Sequence, residues 1–372
     1  MTYDTSERSV RVRVYTGFES LPAGYEALFD AAAESSFFIG RPWFTNLHAA
    51  TEGPHRAIRL YGVELEPSNE PIAVLPMWTG TPRRPLFGAT ELGSLTNQYS
   101  VAFDIVTRPD EPRLSAIAAA IASRLRAERR PRWDKIVLKG LDVHGRAFPA
   151  LTEALRAAGF FVQPFFCFGN WYQDTNGVDF ETYEKGLPNQ VRNTLKRRMK
   201  RLSRVDHSFS IVTDRPGLEG AMEDYLAVYA KSWKEPERFR SFIQSLMATC
   251  AGRGTLRLGI LYIEGKPAAA QVWITAAGAA NIYKLAYDEA YKDYSAGSLL
   301  TAHLMRYALD TDHVHTVDYG QGDDPYKKDW LSSRRERWGI AAFNPRTALG
   351  LAHAVQNIAG RAIKQRLGRT LP

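Results

Sequence analysis

Apolar and polar positions alternate from residue 281 to 287, and this pattern predicts a β-strand. After a polar turn and the segment 295–298, apolar residues recur at helical spacing from 299 to 308. A second strand is predicted at 314–319, and it leads into a turn rich in glycine and acid, residues 320–327. This outline is typical of phosphate-binding βαβ units. The N–H groups at a helix start can hold an anion, and Gly297 has no Cβ to keep it away.

The two halves of the chain predict the same order of elements. Each half begins with a strand and two helices, continues with two or three antiparallel strands, and ends with helix, strand, helix and strand. The spacing of roughly 200 residues suits a duplicated domain better than a solenoid repeat. We therefore predict a tandem α/β fold, with an α+β mixed sheet in each half and domains at 1–170 and 171–345. Among the first-half strands we expect one at 99–105.

The composition supports a folded two-domain protein. The chain has 372 residues, of which 45% are hydrophobic and 24% charged, so it can bury two ordinary cores. No apolar run approaches the length of a membrane span, and the N-terminus lacks the pattern of a signal peptide. Cys167 and Cys250 are too few for a disulfide framework, and Cys167 is expected in the core. A reducing cytosol is the expected compartment.

The formal net charge of +8 favours anionic partners without choosing among nucleotide, nucleic acid, acidic sugar and membrane surface. The densest run of positive charge, residues 192–204, carries Leu195, Met199 and Leu202 at helical spacing. We therefore predict a helix that packs by this apolar face. Its basic face is either solvated or binds phosphate of a donor, a tRNA or a lipid-linked acceptor.

The last segment, residues 346–372, predicts a basic amphipathic helix. Leu349, Val355 and Ile358 are interleaved with Arg361 and Lys364. Such a helix can dock on its own domain, which is the simpler expectation, or lie on an anionic membrane surface as a peripheral contact.

Six segments of the second half resemble the Fem-type, GNAT-like acyltransferase domain that many bacterial polysaccharide loci encode. In the first half only the Pro-Trp-Phe at 42–44 and the Asn-Gln-Tyr-Ser at 97–100 have this character. The resemblance implies a tandem GNAT-like acyl-CoA N-acyltransferase fold with a V-shaped mixed sheet at its centre. The six segments are residues 197–202, 231–233, 265–270, 283–288, 295–300 and 318–330.

The resemblance also implies acyl-CoA as a co-substrate. No metal is expected, because His313 and His315 share one strand face but no third ligand is apparent. GNAT enzymes usually bind the CoA pyrophosphate with an Arg/Gln-x-x-Gly-x-Gly/Ala loop. Here residues 294–298 are Tyr-Ser-Ala-Gly-Ser, with a single glycine and no preceding arginine. Aminoacyl-tRNA, which Fem-type ligases use, and acyl-carrier protein therefore stay open as donors.

The candidate donor-binding residues are Lys284, Ser295, Gly297 and Ser298. Gly297 and Ser298 would hold donor phosphate at the helix start, although Gly297 could be a simple turn residue. Ser295 could be an ordinary N-cap, which is the more common use of serine at such a position.

The candidate catalytic residues are Asp318, Tyr326 and Lys327. In GNAT enzymes a tyrosine in the region of Tyr326 often protonates the departing CoA thiolate, and the resemblance implies this use here. In the structural alternatives, Asp318 pairs with Lys284 or Lys327, Tyr326 only packs, and Lys327 is solvated.

The candidate acceptor-binding residues are Trp233, Tyr287, Asn97, Tyr99 and Arg197. Trp233 ends a predicted helix, where packing in the core is favoured over a place in the wall of a cleft.

We expect a cytoplasmic acyltransferase that moves an acyl group from acyl-CoA to an amine or hydroxyl of a small molecule or saccharide. A role in exopolysaccharide or cell-envelope biosynthesis follows from the resemblance. Two alternatives stay open. One is a non-catalytic binding or scaffold protein of a polysaccharide assembly, and the other is an aminoacyl-tRNA-dependent Fem-type transferase.

Overall fold

The computed structural model of the protein describes residues 9–52, 56–80 and 88–366. The chain forms two compact units. The first comprises Met1–Phe168 and Glu336–Pro372, and the second comprises Gly169–Arg335. The chain thus passes into the second unit near the expected boundary at 170, but residues 336–345, which the sequence-based division places in the second domain, belong to the first unit.

The strands and helices in chain order are as follows. The strands are β1 (Val10–Tyr15), β2 (Ile58–Leu65), β3 (Glu70–Thr79), β4 (Glu91–Ser94), β5 (Val106–Thr107), β6 (Lys135–Asp142), β7 (Phe161–Asp174), β8 (His207–Val212), β9 (Leu256–Ile263), β10 (Lys266–Ala276), β11 (Ala279–Tyr287), β12 (Thr316–Asp318) and β13 (Ser333–Phe343). The helices are α1 (Glu26–Ala33), α2 (Arg41–Leu47), α3 (Leu114–Ala127), α4 (Ala147–Ala157), α5 (Phe180–Gly186), α6 (Asn189–Leu202), α7 (Leu218–Ala230), α8 (Arg240–Gly252), α9 (Ala296–Asp310) and α10 (Ala348–Arg366).

The sheets of the two units have the same sequence of pairings. In the first unit the order is β1-β2-β3-β4-β6-β13, and in the second it is β8-β9-β10-β11-β12-β7. Both have three antiparallel ladders, then one parallel ladder, then a final antiparallel ladder. The predicted mixed sheet in each half is therefore confirmed.

The strand that completes each sheet comes from the other side of the predicted boundary. Residues 172–174 of β7 pair with β12 in the second unit, and residues 337–343 of β13 pair with β6 in the first. The two units are therefore connected by two chain crossings, one in β7 and one in β13.

The prediction of a strand at 99–105 is wrong. Only Val106 and Thr107 form strand there, because local bonds from side chain to backbone replace the ladder. Asn97 Oδ1 accepts from the Tyr99 N–H at 2.9 Å, and Ser100 Oγ accepts from the Asn97 N–H at 3.1 Å.

The basic run forms helix α6 as predicted, but its apolar face is narrower than expected. Leu195 and Leu202 are buried in the core of the second unit, together with Trp273, Leu300 and other residues of β10 and α9. Met199, which was expected to pack with them, is 40% exposed. Cys250 is buried, while Cys167 on β7 is half-buried.

Residues 348–366 of the predicted helix form α10, and residues 367–372 lie outside the described residues. Its Ala354 is buried against Phe343, and His353 stacks on the same ring with centroids 6.4 Å apart. In the described part of the chain no helix is both long and apolar enough to cross a bilayer.

Candidate active site

The second unit contains a cavity of about 410 Å³. Four parts of the chain form its wall: helix α6, the turn after α7, the strands β10 and β11 with the start of α9, and the segment after β12. The segment 318–330 and the start of α9, which the sequence predicted as parts of one site, therefore line one cavity.

The cavity lies beyond the point where two neighbouring strands separate. β11 and β12 pair in parallel only from Ala279 with Thr316 to Asn281 with Asp318. β12 ends at Asp318, whereas β11 continues to Tyr287. Leu285 and Tyr287, on the unpaired part of β11, line the cavity. The cavity is thus lined by the part of β11 that extends past the end of β12.

The N-terminus of helix α9 has free backbone donors. The first helical N–H with an acceptor is that of Leu299, which donates to Ser295 O at 3.1 Å. Among the described residues, the N–H groups of Ala296, Gly297 and Ser298 have no acceptor. Gly297 and Ser298 also line the cavity, so the helix start presents unpaired donors and a positive partial charge there.

Ser295 does not cap this helix with its side chain. Its φ of +52° is in the left-handed region, and no side-chain cap bond forms. The expectation of an ordinary N-cap is therefore wrong. The preceding segment is held from helix α6, because the guanidinium groups of Arg198 and Arg201 both donate to the carbonyl of Asp293.

Gly297 is a helical residue rather than a turn residue. Its environment is tight because a Cβ at this position would lie 3.2 Å from Cδ1 of Tyr287. Its carbonyl accepts from Gln271 Nε2 at 2.9 Å and from Thr301 Oγ1 at 3.0 Å. The missing side chain thus lets the Tyr287 ring approach the helix start.

Gln271 was missed from the sequence. It is fully buried, and its amide joins β10 to α9: Nε2 donates to Gly297 O and Thr301 Oγ1, both at 2.9 Å, and Oε1 accepts from Trp273 Nε1 at 2.8 Å. The signal available in the sequence was a single amide within the apolar strand 268–276. A buried polar group of this kind must find partners, and here it fixes the start of α9 to the sheet.

Trp233 lines the cavity, so its expected place in the core is wrong. The side chain is 49% exposed, and its ring lies 4.6 Å from that of Tyr287. The reason is that α7 ends at Ala230, which leaves Trp233 in the turn after the helix. Trp233 and Tyr287 form an aromatic wall suited to an acceptor.

Tyr326 also lines the cavity and belongs to the short 3₁₀ helix Pro325–Asp329. Its ring meets Tyr319 edge to face at 5.8 Å and remains 41% exposed. Partial desolvation, with the nearby Asp324 carboxylate, raises the pKa of Tyr326 to about 12. The phenol is therefore protonated at neutral pH and can donate a proton or hydrogen bond.

Lys327 is buried, which contradicts the alternative of a solvated side chain. Its ammonium donates to the carbonyl oxygens of Gln321 at 2.6 Å and Gly322 at 3.2 Å, and it pairs with Asp324 at 3.3 Å. Burial lowers the pKa of Lys327. With these contacts Lys327 anchors the glycine turn, and it is absent from the cavity lining.

Asp318 is paired, but with neither lysine that the sequence suggested. Its carboxylate accepts from Arg335, from Asn170 Nδ2 at 2.7 Å and from the Gly320 N–H at 2.6 Å. Arg335 Nε also donates to Asn170 Oδ1 at 2.6 Å. This buried network fixes the end of β12, and thereby the turn that carries Tyr326. Asp318 itself is not part of the lining.

Lys284 and Arg197 also lie off the cavity lining. Lys284 Nζ bonds to Glu237 Oε1 at 2.6 Å, and Arg197 is exposed on α6. Asn97 and Tyr99 belong to the first unit, where Tyr99 is buried. The Nδ2 of Asn97 is buried without a partner among the described residues. Their predicted roles in binding stay predictions.

Comparison with known proteins shows what the second unit is similar to. Residues 189–328 match the family model described as an acetyltransferase (GNAT) domain. This part of the second unit is therefore similar to a GNAT domain. The matched segment runs from the start of α6 to Lys328, so it includes nearly all of the cavity lining. The predicted resemblance to GNAT-like acyltransferases is confirmed, and so is the predicted enzyme class, an acyltransferase.

Solved structures extend the likeness over both units. The crystal structure of FemX has 12% sequence identity and a TM-score of 0.60, and the match covers 88% of this chain and 96% of that chain. A tandem GNAT protein from the clavulanic acid biosynthesis pathway has 13% identity and a TM-score of 0.50, with 91% and 100% covered. At these identities the likeness establishes the fold, and the predicted tandem GNAT-like architecture is confirmed. No curated protein matches the chain.

Proposed function

We propose that the GNAT domain transfers an acyl group from acyl-CoA to an amine or hydroxyl of a small-molecule or saccharide acceptor. The observation that carries this proposal is the cavity at the start of α9. It combines unpaired backbone donors, suited to the donor phosphates, with an exposed aromatic wall, suited to an acceptor. We further propose that the reaction serves exopolysaccharide or cell-envelope biosynthesis and takes place in the cytoplasm.

The residues present fit a CoA thioester in part. The N–H groups of Gly297 and Ser298 can hold phosphate, although this helix start lacks the second glycine and the arginine of the usual loop. Transfer requires no covalent enzyme intermediate, because the acceptor can attack the thioester carbonyl directly. In this proposal backbone donors steady the oxyanion, and Tyr326, which lines the cavity, protonates the departing thiolate.

The test is a donor screen followed by turnover. Acetyl-CoA, longer acyl-CoAs and uncharged or charged tRNA are compared by thermal shift, since a ligand of the native state raises the melting temperature. Release of free thiol is then measured with a panel of amines, alcohols and sugars. Stabilisation by acyl-CoA and acceptor-dependent thiol release support the proposal. Saccharide binding without thiol release would indicate the non-catalytic alternative.

A second candidate is transfer from aminoacyl-tRNA. The observation that favours it is the exposed basic surface of α6, which includes Arg197 and Lys200. Binding of tRNA through such a surface would weaken steeply with salt, because counterions are released from the phosphates. Aminoacyl transfer from charged tRNA, with no thiol release from acyl-CoA, would select this candidate.

For Tyr326 we predict that Tyr326→Phe lowers kcat and leaves donor affinity close to wild type. Phenylalanine keeps the ring but removes the proton donor. General acid catalysis typically raises a rate by ~10²–10⁴-fold. We expect kcat to fall by only about 10-fold, because a thiol with a pKa of about 8.5 already leaves fairly well as thiolate. The measurement is thiol release at saturating donor and acceptor. A wild-type kcat would remove Tyr326 from the chemistry and leave it a packing role.

For helix α10 we propose peripheral contact with an anionic membrane surface. Leu351, Val355 and Ile358 are 49%, 57% and 51% exposed and share one face at helical spacing. We predict that a variant with serine at all three positions loses cosedimentation with phosphatidylglycerol vesicles while retaining its melting temperature. Neutral phosphatidylcholine vesicles are the control. Equal cosedimentation of variant and wild type would contradict the proposal.

A further inference from the structure

Asp329 is a charged residue on the lining of the active-site cavity. It ends the 3₁₀ helix Pro325–Asp329. The other lining residues are aromatic, aliphatic, amide, hydroxyl, proline or glycine. Among the described residues that line the cavity, Asp329 is therefore the one acidic or basic residue.

The Asp329 carboxylate has no partner in the part of the chain that the structure describes. The neighbouring acids differ in this respect. Asp318 pairs with Arg335, Asp323 with Arg334 at 2.7 Å, and Asp324 with Lys327 at 3.3 Å. No described residue forms an ion pair or hydrogen bond with the side chain of Asp329, although Asp329 is half-buried. A partly desolvated carboxylate in this state gains from a cation that enters the cavity.

The walls around this carboxylate also suit a cation. Trp233, Tyr287, Tyr319, Tyr326 and Trp330 all line the cavity, and their ring faces carry negative quadrupole charge. Trp233 and Tyr326 are the most exposed of them. An ammonium group in the cavity would meet one carboxylate and several aromatic faces.

We infer that Asp329 determines acceptor specificity by binding a positively charged ammonium group of the acceptor. This inference rests on the proposed function and narrows its acceptor to a cationic compound. An ammonium bound to a carboxylate has no free electron pair, so it is not the attacking group. The acceptor therefore carries a second group, an amine or hydroxyl, that attacks the thioester. The expected class is a diamine, an amino alcohol or an amino sugar rather than a neutral saccharide.

The test uses matched probes that exchange an ammonium for a hydroxyl. The pairs are glucosamine and glucose, ethanolamine and ethylene glycol, and 1,4-diaminobutane and 1,4-butanediol. Binding is measured by calorimetry for the wild type and for Asp329→Asn, which keeps the shape and removes the charge. Glu184→Gln is the control, because Glu184 lines a separate groove of the same unit.

We expect at least one cationic probe to bind the wild type more tightly than its neutral partner. Hydrogen bonds to charged groups contribute about 1.5–3 kcal/mol. The affinity of Asp329→Asn for that probe should therefore be about 10- to 100-fold lower than that of the wild type. Acetyl-CoA affinity and the control variant should be unchanged. The inference is wrong if no cationic probe is preferred, or if the preference survives in Asp329→Asn.

The binding measurements need no turnover, so they separate the two proposals. Thiol release without any preference for cationic acceptors would retain acyl transfer and overturn the role of Asp329. Charge-dependent binding without thiol release from any acyl-CoA would support the role of Asp329 in binding and contradict acyl transfer from CoA.

Discussion

Gly297→Val is expected to lower the affinity for acyl-CoA by about 10- to 100-fold, the effect of losing one charge-assisted hydrogen bond. The new Cβ would lie 3.2 Å from Cδ1 of Tyr287, and the methyl groups beyond it need still more space. The Tyr287 ring must therefore move into the cavity, next to the N–H groups that we assign to the donor phosphates. Calorimetry with CoA and acetyl-CoA measures the change.

Gly220→Val is the matched control for this prediction. Gly220 is also near the start of a helix, α7, and a Cβ there meets nothing within 4 Å. Its variant should bind CoA like the wild type. Wild-type affinity should also fall as salt rises, because the contacts are with phosphate charge. Unchanged CoA affinity in a folded Gly297→Val protein would exclude the helix start as the phosphate site.

Arg335→Leu is expected to destabilise the protein by about 3 kcal/mol, the lower end of the cost of breaking a buried ion pair. The lower end applies because the Arg335 side chain is 29% exposed, whereas that of Asp318 is 4% exposed. The substitution leaves the Asp318 carboxylate buried without its countercharge. Since the network fixes the end of β12, kcat should fall together with stability.

The neighbouring pair provides the control for this second prediction. Arg334 pairs with Asp323 at 2.7 Å, but these side chains are 34% and 42% exposed. Exposed pairs contribute about 0–1 kcal/mol, so Arg334→Leu should change the urea midpoint little. Equal destabilisation by the two substitutions would show that the burial of Asp318 is not the cause of the stability lost in Arg335→Leu. The double variant with Asp318→Asn should recover part of the loss, because it removes the uncompensated charge.

The sequence alone determined strand β11, helix α9 and the approximate position of the site. The alternation at 281–287 and the helical spacing after Gly297 predicted β11 and α9, because periodicity reports which face of an element is buried. The segments that resembled the GNAT-like family lie in the region that the GNAT family model matches. The candidates Gly297, Ser298, Tyr287 and Tyr326 all line one cavity, and so does Trp233, for which packing in the core was favoured.

The partners of the polar residues were decided only by the tertiary structure. Asp318 could have paired with either lysine from its place in the sequence, yet its partners are Asn170 and Arg335. Such pairs join residues far apart in the chain, and periodicity carries no information about them. For the same reason Gln271 was missed, since its use depends on which helix packs over β10.

The tertiary structure also decided which strands complete the two sheets. By chain order β7 closes the first half and β13 the second, but each supplies a ladder to the other unit. Both strands contain the apolar residues that any central strand needs, so composition cannot distinguish the two arrangements. Ladder formation depends on hydrogen bonds between backbones, which are alike for all residues except proline. The pattern along the chain can therefore determine that a segment forms a strand, but not which strand it pairs with.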